Sequence, residues 1–298
     1  MRAWYEVNFN LEFRTKTGTE FQSFFTAVMQ RRYPGDFQKV KPYGNQGDKK
    51  CDGYQPSCAR VYQVYAPEQM NSAITIGKIN EDFRGAIRHW QAQMDEWIFV
   101  HNQHRGLPPD VVKRLHFLNR CKTVAVQPWG EAELRNEFFG LSQGDQSALF
   151  GHSPTPQSMM RLEIADVIKV VQVIAQQPAP LAEDVGQVPA GKLEANALSS
   201  SVKELLLLGS AKSKLVKELF SKWHDPMLGD RIATSFRTRY QTLRAEQKIG
   251  DEIFQELWRY AGATQHASMA QESAVLSLLA FLFEECEIFE PARLKVTP

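Results

Sequence analysis

The sequence predicts two differently built halves, an α/β N-terminal domain with a mixed sheet flanked by helices and an all-α C-terminal domain. Three observations carry this. Before residue 150 the apolar spacing switches back and forth between the period of a helix and that of a strand. Past residue 193 every segment keeps a helical period. Between them, Gln177-Pro178-Ala179-Pro180 through Pro189-Ala190-Gly191 is rich in proline and glycine and has no apolar period, the composition of a linker. The expected organisation is a first domain over 1–150, a connecting helix and linker over 151–192, and a helical domain over 193–298.

The elements of the first half follow in order. Gly18 to Arg32 places Phe21, Phe24, Phe25, Val28 and Met29 at helical spacing. Phe37 to Lys41 alternates as a short strand, and Gly44-Asn45-Gln46-Gly47-Asp48 is a turn by composition. Lys50 to Tyr54 and Ala59 to Ala66 form a hairpin through Gln55-Pro56-Ser57-Cys58. A long amphipathic helix follows, with Ala73, Ile76, Ile79, Phe83, Ile87, Trp90 and Met94 on its stripe. Trp97 to Val100 and Thr123 to Gln127 are buried strands, each followed by a helix, Val111 to Leu118 and Glu131 to Phe139. Ile164 to Ala175 leads into the linker. In the second half the helices are Leu198 to Leu208, Lys212 to Trp223, Leu228 to Glu246, Ile253 to Tyr260 and Gln271 to Phe289.

Composition narrows the class without naming a function. A hydrophobic fraction of 43% with 23% charged residues is that of a globular protein and does not suggest disorder. A net charge of +1 neither indicates nor excludes nucleic acid, because a neutral total can hide a basic groove. Apolar runs such as Ala274 to Phe283 are too short to cross a bilayer, and Met1-Arg2-Ala3-Trp4-Tyr5-Glu6 lacks the apolar core of a signal peptide, so a cytoplasmic location is expected. Cys51, Cys58, Cys121 and Cys286 form no C-x-x-C pair and are expected as free thiols.

The stretch that can carry chemistry runs from Glu20 to Tyr65. Hydrolysis of a phosphodiester by a metal needs carboxylate and amide oxygens around a hard cation, and a positive group near the phosphate. Asp52 opens the hairpin, and Gln63 lies on its second strand, where Gln63 and Tyr65 share a face. Glu20 on the preceding helix adds a third oxygen ligand, and Lys49 and Lys50 flank Asp52.

A helical Glu20, then Gly47-Asp48-Lys49-Lys50-Cys51-Asp52-Gly53, then Gln63-Val64-Tyr65 resembles the PD-(D/E)XK, restriction-endonuclease-like, nuclease superfamily, in particular its Mrr-like branch and bacterial defence effectors with D…Q-x-K. The resemblance covers roughly residues 10–140. It implies a restriction-endonuclease-like fold and Mg²⁺ (or Mn²⁺) held by Asp52, Gln63 and Glu20. Lys49 or Lys50 and Tyr65 would then orient water and phosphate; where the family has lysine this chain has Tyr65, whose phenol is neutral. The Gln63-Val64-Tyr65-Ala66-Pro67 form looks like a branch found in effectors of ABC-three-component, Lamassu-like defence systems. That implies a DNA substrate, and partners consisting of an SMC-like ABC ATPase and an accessory subunit engaged by the helical half. Because one active domain cuts one strand, double-strand cleavage would favour self-association.

Each feature also has a plainer reading. Thr17 and Glu20 fit a helix capping box. Asp48 and Asp52 sit among glycines, where aspartate forms turns. His101 and His104 are a pair without a third ligand, taken as a loop feature. Arg31, Arg32, Lys39, Lys41, Lys49 and Lys50 form a solvated face or a DNA-contacting one. The rival functions are an inactive nuclease fold that binds DNA, and a scaffold whose α/β domain only carries the helical module.

Overall fold

The computed structural model describes residues 2–40, 49–121, 124–175, 196–262, 267–285 and 288–289. The turn expected at 44–48, with Asp48, and the linker at 177–191 lie outside the described residues. The chain forms two compact units, residues 9–146, and residues 1–8 with 147–298.

Residues 9–146 build a five-stranded mixed sheet with helices on both faces. The order is β1 (Gln38–Lys39), β2 (Gly53–Gln55), β3 (Arg60–Tyr65), β4 (Glu96–His101), β5 (Ala125–Trp129). The first three strands are antiparallel and the last three parallel. Parallel neighbours need crossovers, and α3 (Ser72–Trp90) and α4 (Pro109–Cys121) supply them. Their apolar faces, with Ile79 and Phe83 from α3 and Val111, Leu115 and Leu118 from α4, form one core with Val61, Trp97, Phe99 and Val126 of the sheet. The opposite sheet face carries Tyr62, whose ring meets Phe25 of α2 (Gly18–Arg32), Phe37 and Trp129 at 5.3–5.6 Å between centroids. Phe9 and Phe13 of α1 (Arg2–Thr15) extend this side as an aromatic cluster with Phe21 and Phe24 of α2 and Phe138 of α5 (Glu131–Phe139).

One helix was not foreseen, and one apolar stripe is rotated. From Ala3 to Phe13 every second residue is apolar, a strand-like period, yet the segment is a helix. Trp4 is buried as well as Ala3, Tyr5, Val7, Phe9, Leu11 and Phe13, so the buried apolar residues point in many directions round the axis and their spacing carries no facial signal. On α3 the buried positions are Thr75, Ile79, Asp82, Phe83 and Ala86, whereas Ala73 is exposed and Ile76 and Ile87 only half-buried. The stripe is thus rotated to include a threonine and an aspartate. Elsewhere the β2–β3 connection is a 3₁₀ turn, Pro56–Cys58, which ends on Ala59 at a φ of 48°.

The other unit is helical, a plain α-bundle. It contains α7 (Pro156–Arg161), α8 (Ile164–Ala175), α9 (Ser200–Ser210), α10 (Ser213–Lys222), α11 (Leu228–Ala245), α12 (Gly250–Tyr260) and α13 (Met269–Glu284), while α6 (Gln143–Phe150) spans the division. From Glu272 to Phe283, α13 is buried at every residue but Phe281, which makes it the central helix of the bundle. α9 packs against it closely: a Cβ on Gly209 would stand 2.5 Å from the Leu276 carbonyl oxygen. Only glycine allows that approach. The first residues of α1 belong to this unit, where the Trp4 ring lies 4.9 Å from Trp258 and the Gln255 side-chain amide donates to the Val7 carbonyl. No helix among the described residues is long and apolar enough to cross a membrane.

Candidate functional site around Asp52 and Gln63

The site lies where the antiparallel and parallel parts of the sheet meet, on β3. Gly53 pairs with Tyr62, but the N–H of Asp52 also donates to the Tyr62 carbonyl, at 2.9 Å. Two residues of one strand thus face one of the other, the arrangement of a β-bulge. The alternation of faces breaks there: Cys51 packs in the α3–α4 core, while Gly53 lies against the Phe37 ring on the other face. A Cβ at Gly53 would stand 2.4 Å from that ring, which is why glycine follows Asp52. The kink aims the Asp52 carboxylate at β3 and α2. Its Oδ2 accepts the Val64 N–H at 2.7 Å, and its Oδ1 accepts the side-chain amide of Gln22 at 2.5 Å. Asp52 is 8% exposed.

Gln63 sits one residue before Val64 and pairs with Phe99 of β4, so its side chain shares the face of Val61 and Tyr65. It is buried, and its amide oxygen has no hydrogen-bond donor among the described residues. A buried acceptor left unmet costs about 1–3 kcal/mol, so a donor or water is needed to meet this atom. Tyr65 is half-buried, its ring 6.1 Å from Phe99.

The remaining expected residues are placed differently. Glu20 is exposed on the first turn of α2. Residues two apart on a helix do not face the same way, so with Gln22 turned to Asp52, Glu20 points elsewhere. The capping box is not formed either, since Thr17 makes no side-chain capping bond. Lys50 extends away from Asp52 to α3, where its ammonium meets Glu81 at 2.5 Å and Asp82 at 3.1 Å. The Glu81 hydrogen bond, with Asp82 beside it, holds the Lys50 pKa above the ordinary lysine value. Asp82 also binds Lys78 at 2.9 Å and is fully buried, with its second oxygen unpartnered among the described residues. Lys49 and Lys50 both have positive φ, 52° and 59°, and the Lys49 carbonyl accepts the Trp90 indole N–H.

Two residues gain weight that spacing alone did not give them. Gln22 lies in line with the buried Phe25 and Met29, one and two turns along α2, so it is the half-buried polar member of that stripe and was legible on a helical wheel. His101 is the last residue of β4, not a loop residue; it pairs with Tyr65 and is 6% exposed. Burial lowers its pKa to about 4, so it is neutral near pH 7, and its Nδ1 accepts the Gln103 N–H at 3.2 Å. Among the described residues no three His, Cys, Asp or Glu side chains form a metal cluster. Cys51 and Cys58 are free thiols, as expected.

No curated protein and no solved structure matches the chain. Residues 165–290, from α8 through α13, match the family model for C-terminal domain 10 of the ABC-three component (ABC-3C) systems, and this match supports membership of the chain in such a system.

Proposed function

We propose that the chain is a metal-dependent DNA endonuclease, the cleaving effector of an ABC-three-component defence system. In this reading the helical unit is the docking module for an ABC ATPase of the SMC-like kind and an accessory subunit; the domain match supports it. The observation that carries the nuclease reading is the buried, unmet amide oxygen of Gln63, next in sequence to the Val64 N–H that holds the Asp52 carboxylate. The donor types fit a hard cation: both are oxygens, and a cation would satisfy an amide oxygen that no described residue satisfies. Asp52 and Gln63 would hold Mg²⁺ or Mn²⁺, which when bound lowers the pKa of water and polarises a phosphate. Gln22 orients the Asp52 carboxylate through its amide. The strand order, with the bulged Asp52 hairpin leading into a βαβ crossover, supports a restriction-endonuclease-like architecture.

A second reading has its own observation. Lys50, which flanks Asp52 in sequence, is engaged by Glu81 and Asp82, and Tyr65 packs on Phe99. A site with its cation drawn off to α3 suits an inactive nuclease fold that binds DNA or serves as a scaffold. The two readings separate in one experiment: cleavage of a supercoiled plasmid with Mg²⁺ or Mn²⁺, by wild type and Asp52→Asn, alone and with the proteins encoded beside it. Cleavage abolished by Asp52→Asn supports the endonuclease. An intact plasmid in every mixture sinks it and leaves the second reading. Asparagine is the better variant, because alanine would strip the acceptor from the Val64 N–H and cost about 1–3 kcal/mol of stability as well.

A further inference from the structure

The outward side of α3 has features that its packing role does not explain. Lys50, Asn80, Arg84, Arg88 and His89 line a shallow groove of about 600 Å³ along it. Arg84 and Arg88 are exposed, one turn apart, and neither has an ion-pair partner among the described residues. Like charges at that spacing destabilise a helix. The one carboxylate in the lining, Glu81, is met by Lys50, so the groove is net positive. The Asn80 amide oxygen accepts from Arg114 at 2.6 Å, which leaves its NH₂ to donate outward.

The two glycines of the groove behave differently. Gly85 seats Lys50, whose Cγ lies 2.4 Å from where a Cβ would be. Gly77 has nothing within 4 Å of that position. Glycine inside a helix is costly relative to alanine, and here no neighbour among the described residues requires it. An open glycine permits close approach of another molecule. Among the described residues no apolar side chain lines the groove. Protein interfaces have an apolar or aromatic core, whereas nucleic-acid interfaces are polar and positively charged.

We infer that this face of α3 binds the sugar–phosphate backbone of a nucleic acid, with Arg84 and Arg88 pairing to phosphates and Gly77 letting the strand lie against the helix. The inference deepens the nuclease reading and rests on it for the purpose of the bound strand. The site is separate from the Asp52–Gln63 pair, and Lys50 is the residue that reaches from the flank of Asp52 into it.

The test is fluorescence anisotropy with labelled duplex and single-stranded DNA in EDTA, across about 50–200 mM salt, with an acidic polyglutamate peptide as the alternative ligand. Arg84→Ala/Arg88→Ala should weaken DNA binding about tenfold or more and reduce the log–log salt slope by about 2. Gly77→Ala should raise the melting temperature yet weaken binding, an outcome that a merely structural glycine would not give. Unchanged affinity and slope in the double arginine variant overturn the proposal. So does wild-type binding to polyglutamate but to neither DNA, which would point to an acidic protein instead. Asp52→Asn keeps the two hypotheses apart. Wild type that binds through Arg84 and Arg88 but cuts nothing refutes the nuclease and leaves the groove. Wild type that cuts, with the groove variants binding normally, refutes the groove alone.

Discussion

Replacing Glu272 by glutamine should remove most of the pH dependence from the stability of the helical unit. Glu272 is 2% exposed on the central helix α13, and its Oε2 accepts the Trp258 indole N–H at 2.7 Å. Burial raises its carboxyl from 4.5 to about 7, with the Trp258 hydrogen bond opposing the rise. Between those values the folded state keeps a proton that the unfolded chain has released. The stabilisation is therefore complete below pH 4.5, is lost as pH climbs toward about 7, and changes no further above it. At about 1.4 kcal/mol per pH unit, the span is worth about 3 kcal/mol. Glutamine offers Trp258 the same amide-oxygen reach and does not titrate. Urea unfolding followed by circular dichroism at pH 4.5 and pH 7.5 reads the difference. The two proteins should be similar at the lower pH, with Glu272→Gln ahead by up to about 3 kcal/mol at the higher. A gap that stays constant within about 0.5 kcal/mol would show that Glu272 ionises normally in the fold and would refute the argument.

Three further outcomes follow from the packing and the site. Gly209→Ala should cost about 1–3 kcal/mol in thermal melts, although alanine favours a helix, because its methyl group would meet the Leu276 carbonyl and Ala280. Thr17→Ala should change stability by less than about 0.5 kcal/mol, below the usual capping loss, because the Thr17 side chain caps nothing. In metal titrations of plasmid cleavage, Gln22→Ala should weaken the response about 10–100-fold as a support of Asp52, while Glu20→Ala should have little effect; a larger loss at Glu20 would return it to the metal.

Much of the sheet was legible because its strands are bounded by turn residues and buried by apolar runs. Trp97 to Val100 and Glu131 to Phe139 lie within or coincide with observed elements, and Ile164 to Ala175 matches α8 end to end. Legibility failed where burial did not follow polarity. Asp82 reads as a surface residue, but it is buried because Lys50 and Lys78 neutralise it, and only one of those lies a turn away on the same helix. α1 was not legible because its buried apolar residues alternate along the chain and so spread round the helix instead of forming one stripe. At the site, Asp52 and Gln63 could be picked out by residue type on a hairpin, but the bulge that turns the carboxylate to Val64 and Gln22 depends on the Phe37 ring packed over Gly53. Nothing local in sequence signals a ring sixteen residues away.

The opening turns of α1 bear on how the helical unit can be excised. A fragment cut from residue 147 onward would lack residues 1–8, which belong to the same unit. It would bare the Trp258 indole face covered by Trp4, take the Val7 carbonyl from Gln255 and the Tyr5 hydroxyl from Ser147. Such a fragment would tend to clump through that uncovered ring, and a peptide of residues 1–15 supplied in trans would rescue it by complementation. Tests of the proposed ATPase partner are thus best begun with the chain whole, since a failed capture by the shortened piece would report a missing wedge and not a missing partner.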